Sequence, residues 1–106
     1  MEILTTGVLL DTCVLSGLMK EDMYGYILTQ NITKQINVSE STLYPALRRL
    51  QKDGNLEVYD RQHNGRNRRY YRITSKGKDT FEENYQLWQK TKEAIDKILE
   101  RSGMND

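Results

Sequence analysis

Apolar residues crowd most faces of the opening segment Gly7 to Met19 (GVLLDTCVLSGLM), which predicts a helix buried on more than one side. The Lys20–Glu21–Asp22 cluster breaks that pattern, and Asp22 stands ready to cap a second helix from Met23 to about Lys34. Met23, Ile27, Leu28 and Ile32 recur there at helical spacing, with Tyr26 and Gln30 directed elsewhere. Gly25 lies inside this helix at a cost in stability that close packing against a neighbouring helix would explain. Ile36 and Val38 suggest a very short strand. Ser39 then caps a third helix reaching about Asp53, with Leu43, Leu47 and Leu50 as its buried stripe and Gly54 as its left-handed end. Pro45 is awkward inside it, so either the helix kinks near its start or the start lies later than Ser39.

Beyond Gly54 the period changes from helical to alternating. Leu56 and Val58 alternate with Glu57 and Tyr59, and Tyr71 and Ile73 alternate with Tyr70 and Arg72. Asn64–Gly65, at the tip of Arg61–Asn67, closes these strands into a hairpin. Thr74 caps a long last helix running to about Arg101. The order helix, helix, helix, hairpin, long helix is the winged helix-turn-helix plan with a carboxy-terminal extension. The fold class is α+β, mostly α.

Composition narrows the function. A chain of 106 residues, 37% hydrophobic and 29% charged, suits one soluble globular unit. The net charge of +1 says little until it is mapped. Residues 48–78 hold ten Lys/Arg against three Asp/Glu, a balance of +7, while the segments on either side each sum to −3. A polyanion would meet that central third. Met1 to Met19 lacks a basic leader and carries Glu2 and Asp11, so neither a secretory signal nor a membrane span is expected. The single cysteine, Cys13, has no partner for an internal disulfide, fits a reducing cytoplasm, and reads as a small core hydrophobe. His63 is the only histidine, with no Cys beside it to build a metal site, and is taken as a polar tip residue. No phosphate loop, metal-ligand spacing or activated nucleophile supports catalysis, and no cofactor is implied.

The third helix is the candidate reader of DNA. Opposite its leucines it carries Ser41, Thr42, Tyr44, Pro45 and Arg48, with Arg49 and Lys52 at the margin. Short hydroxyl side chains near a helix start can approach phosphates, and arginine reaches guanine edges. The hairpin tip, from Asp60 to Arg69, is positive and free of large apolar residues, as a wing lying along a phosphate backbone must be. The last helix bears Phe81, Tyr85, Trp88, Ile95 and Leu99, with Lys92 interrupting and Leu87, Ala94 and Ile98 beside them. That stripe either pairs with another chain or folds back on the first helix of its own subunit, or does both in part.

These residues resemble the PadR family of transcription regulators. The resemblance is carried by Tyr24–Gly25–Tyr26, by Ser41 to Leu50 (STLYPALRRL), by Asp53–Gly54, by Gly65–Arg66, by Arg69 to Thr74 (RYYRIT) and by Gly77. It runs from about Gly7 to Gly77, and the short single-helix tail is similar to the family's smaller subgroup. The resemblance implies a winged helix whose terminal helices build a homodimer, and a role as a repressor released from its operator by small, often phenolic or hydrophobic, effectors. Carried over by position, the DNA contacts fall on Ser41, Thr42, Tyr44 and Arg48, with Arg66 and Arg68 added by the wing. Asn67 interrupts the arginines of that wing.

The expected function is a sequence-specific DNA-binding regulator, a ligand-responsive repressor acting as a homodimer on double-stranded DNA, with no membrane partner. Residues 1–74 would form the DNA-binding unit and residues 75–106 the dimerisation helix. Tyr85, Trp88 and Lys92 are candidates for binding a small aromatic effector near the two-fold axis, with the lysine suited to an anionic one. The alternative is a winged-helix protein-interaction module without DNA binding.

Overall fold

A computed structural model describes residues 4–103 of the chain, and for the last three of these, 101–103, the backbone alone. Residues 1–3 and 104–106, the outer ends of the two expected units, lie outside the described part. Helix α1 (Thr6–Gly17) starts at Thr5, whose side chain accepts the Val8 N–H at 3.3 Å. Its Val14 and Leu15 are fully buried, and α1 packs on the three helices that follow, as a helix apolar on several faces must.

The second helix departs from expectation. Met23 and Tyr24 form a two-residue strand, β1, and helix α2 (Gly25–Thr33) begins only after it. Asp22 therefore does not cap it; Tyr24 holds that position, with no side-chain bond. Nor is Gly25 interior to the helix. It is the first residue, and what crowds it is a ring of the sheet: an added Cβ would lie 2.9 Å from Tyr71 Cε1. Ile36 and Val38 form no strand. Their N–H groups are spent on the carbonyls of Ile32 and Ile36, closing turns after α2.

Helix α3 (Glu40–Lys52) follows Ser39, whose hydroxyl bonds those of Ser41 and Thr42 and leaves the backbone N–H groups to the Ser39 carbonyl. Leu43, Leu47 and Leu50 are buried as expected, joined by Ala46. Pro45 is inside the helix with its ring exposed, so the start was not displaced. Gly54, at φ 83°, turns the chain out of α3.

Strands β2 (Leu56–His63) and β3 (Arg66–Ile73) make the hairpin, joined through Asn64 and Gly65 at φ 54° and 77°. Two positive φ values in succession mark a type I′ turn, whose twist matches that of the strands. Leu56 pairs with Ile73, Tyr59 with Tyr70 and His63 with Arg66, while β1 adds to the other edge of β3 through Met23–Tyr71 and Tyr24–Tyr70. The inner face closes the core with Leu56, Tyr71 and Ile73. Thr74 starts helix α4 (Ser75–Gly103), accepting the Gly77 N–H at 3.0 Å.

The far half of α4 leaves the body of the molecule. A compact chain of this length has a radius of gyration of about 13 Å; here it is 16.3 Å, with a longest extent of 62 Å. α4 meets α1, where Thr91 accepts the Leu4 N–H at 3.2 Å, but further on Ile95 and Leu99 are 44% and 62% exposed.

Candidate nucleic-acid interface

The outward face of α3 presents Ser41, Thr42, Pro45 and Arg48 to solvent, while Tyr44 is half-buried against the core. Arg49 belongs elsewhere. Its guanidinium is paired with Asp11 of α1, whose pKa burial raises and Arg49 pulls back down. One residue of helical phase thus separates a free cation, Arg48, from a structural one that ties α3 to α1.

The wing is more ordered than its polar tip implies. Along the outer face of the sheet, Arg72 lies 4.6 Å from the Tyr59 ring centroid, Arg61 5.3 Å from Tyr70, and Arg68 4.8 Å from Tyr24. The rings touch one another in turn, Tyr59 stacking on Tyr70 at 5.7 Å and Tyr70 tilting against Tyr24 at 6.1 Å. Each such contact contributes about 0.5–1 kcal/mol at an exposed site, so the ladder stiffens the hairpin where its backbone alone would flex. Asp22 braces one end by accepting from the Tyr59 hydroxyl at 2.6 Å and from Arg72 Nε at 3.2 Å. The bond to Asp22 raises the Tyr59 pKa. Arg66 is exposed beside the turn, and Arg68 sits further back on the same face, held over Tyr24. Sequence reasoning passed over this ladder. The signal was present, since Tyr59 and Arg61 on one strand and Arg68, Tyr70 and Arg72 on the other recur every second residue.

The effector candidates divide. Tyr85 and Trp88 line an apolar groove of about 530 Å³ between α1, α2 and α4, together with Leu9, Cys13 and Phe81. Burial raises the Cys13 pKa, which keeps its thiol neutral. Lys92 is not on this groove; it is exposed and bonds Asp96 one turn further along α4 at 3.3 Å. Among the described residues no cluster of His, Cys, Asp or Glu could hold a metal ion, and no helix is long and apolar enough to cross a membrane.

The sequence profile of the Transcriptional regulator PadR-like family matches residues 14–83, from inside α1 through the wing to the first turns of α4. The chain belongs to the PadR family. Family and fold together mark it as a winged-helix transcription regulator, a class that acts by binding DNA and not by catalysis. Transcriptional regulator Rv3488 of Mycobacterium tuberculosis is 41% identical over 63 residues, covering 58% of this chain and 59% of that one. The crystal structure of smu.1704 from Streptococcus mutans UA159 superposes with a TM-score of 0.83 at 34% identity, over 99% of this chain and 98% of that one. A PadR family transcription regulator from Clostridium difficile R20291 gives 0.77 at 31% identity, over 85% and 97%. These matches span both the winged body and the long last helix.

Proposed function

We propose that the protein is a sequence-specific repressor that binds double-stranded DNA as a homodimer in the cytoplasm and is released by a small aromatic effector. The observation that carries the DNA-binding part is a single one: Ser41, Thr42 and Arg48 on the solvent face of α3 and Arg66 on the wing are all exposed within the chain's basic third. In this reading Ser41, Thr42 and Tyr44 enter the major groove from the start of α3, and Arg66 and Arg68 follow the phosphate backbone. Residues 1–74 serve as the reader and residues 75–106 as the arm that finds a second subunit. Support for the dimer comes from the exposed apolar residues of α4, since a monomer leaves Ile95 and Leu99 in water. Support for the effector comes from the apolar groove at Tyr85 and Trp88, whose indole and phenol suit a flat aromatic guest.

Fluorescence anisotropy with a labelled random duplex tests the reading. Affinity should fall by about 10³–10⁵ between 50 and 200 mM salt if six to ten phosphates are contacted. A weak, salt-insensitive interaction would instead point to a protein-docking module.

A further inference from the structure

A second concavity, of about 370 Å³, lies where α3, the start of α2 and strand β3 meet. Arg48 and Arg69 line it together with the tyrosines Tyr24, Tyr26, Tyr44 and Tyr71. Gly25 lines it too, and its missing side chain keeps the space over the Tyr71 ring open. The charge in this cleft is one-sided. No carboxylate lines it, and neither Arg48 nor Arg69 forms an ion pair among the described residues, whereas Arg49 and Arg72 are both paired. Asp60 stands opposite Arg69 in the ladder yet makes no ion pair with it. Both guanidinium groups act on the buried Tyr71 phenol, Arg69 the more strongly, so the two charges converge on one place.

Two uncompensated guanidinium groups facing a crevice rimmed by phenol hydroxyls are matched to a tetrahedral oxyanion. Arginine's planar fork binds phosphate through paired hydrogen bonds, and hydroxyls supply further donors. If the DNA-binding reading holds, on which this inference rests, the position of the cleft selects the anion. The first residues of a recognition helix meet base edges. Arg48 stands two turns further along α3 than Ser41, beside the wing, where the strand bordering the groove must pass. We propose that the cleft seats one backbone phosphate of the bound duplex between Arg48 and Arg69, with tyrosine hydroxyls donating to it. Arg48 then fixes the register of the protein on DNA and does not read a guanine, and Arg69 becomes a DNA contact that the family motif did not assign.

The test is anisotropy on two labelled 24-bp duplexes, one of random sequence and one selected for tight binding to the wild-type protein. Arg48→Ala and Arg69→Ala should each reduce the salt slope by about 0.9, which lowers the affinity ratio between 50 and 200 mM salt about 3.5-fold. The loss should be the same on both duplexes, and Arg69→Lys, which keeps the charge, should restore the slope. Both arginines are exposed, so thermal melting by circular dichroism should show the variants folded. An unchanged slope in Arg69→Ala overturns the proposal, as does an Arg48→Ala loss confined to the selected duplex. A wild-type protein that binds duplex without steep salt dependence overturns the DNA-binding reading itself, and with it the cleft, before any variant is compared.

Discussion

Replacing Gly77 by alanine should destabilise the fold, against the usual rule that alanine improves a helix. Gly77 lies in the first turn of α4, pressed against the chain where α3 gives way to β2. An added Cβ would stand 2.2 Å from the Asn55 carbonyl oxygen and 2.7 Å from Ile73 Cγ1. Real Cβ atoms do not approach within 3.0 Å, so the two segments must part by about 0.8 Å. That seam is closed by Thr74 N–H to the Asn55 carbonyl at 3.1 Å, Thr80 Oγ1 to Asn55 Oδ1 at 2.8 Å and Thr74 Oγ1 to the Gly54 carbonyl at 2.7 Å. Loss of two such bonds with some compression costs about 2–4 kcal/mol, and helix propensity returns at most about 1 kcal/mol. The net cost is about 1–3 kcal/mol, a fall in Tm of about 4–12 °C for a domain of this size. Gly17→Ala is the control, because its Cβ meets only Leu28 Cδ1, at 2.7 Å, the end of a side chain that can rotate. It should change stability by less than about 1 kcal/mol. Melts followed at 222 nm, at one protein concentration, compare the two. Gly77→Ala as stable as wild type would refute the seam, and with it the fixed angle between the winged unit and α4.

Other consequences concern pH, the wing and the groove. Tyr59, bonded to Asp22, and Tyr71, buried, both have pKa values raised above the ordinary 10.0, so the folded state favours their neutral phenols. Their contribution is whole below about pH 10 and is lost as pH rises through the folded values; the urea midpoint should drop above pH 10, and a flat midpoint to pH 11.5 would contradict it. Arg66→Ala and Arg68→Ala should each lower the salt slope by about 0.9 on every duplex, and an effect on the selected duplex alone would remove the wing as a backbone clamp. Trp88 is the only tryptophan. Planar phenolic or cationic aromatics should quench it saturably and weaken DNA binding over the same range, whereas a shielded emission unmoved by a broad panel would mean that the indole is simply packed.

What the sequence made legible was local. Asn64–Gly65 between alternating strands specifies the hairpin within a dozen residues, and Leu43, Leu47 and Leu50 declare the buried face of α3. What it hid depends on distant partners. Met23 and Tyr24 are a strand only because β3 offers an open edge, and that pairing, with Asp22 drawn to Tyr59 and Arg72, overrode the local cap signal. Arg48 and Arg49 are adjacent and chemically identical; the position of Asp11 on α1 decides which one is structural. Lys92 read as a cation stranded in an apolar stripe, but α4 carries Asp96 one turn on to meet it. Arg69 was counted with the wing, and only the docking of α3 against β3 brings it beside Arg48.

The central claim is that two copies of this chain place two α3 helices in successive major grooves of one duplex. Hydroxyl-radical footprinting on a selected duplex tests it most directly. The account predicts two protected patches whose centres lie about 10–10.5 bp, or 34–36 Å, apart, with two-fold symmetry in the sequence beneath them. A single protected half-site, or protection that ignores sequence, would contradict it.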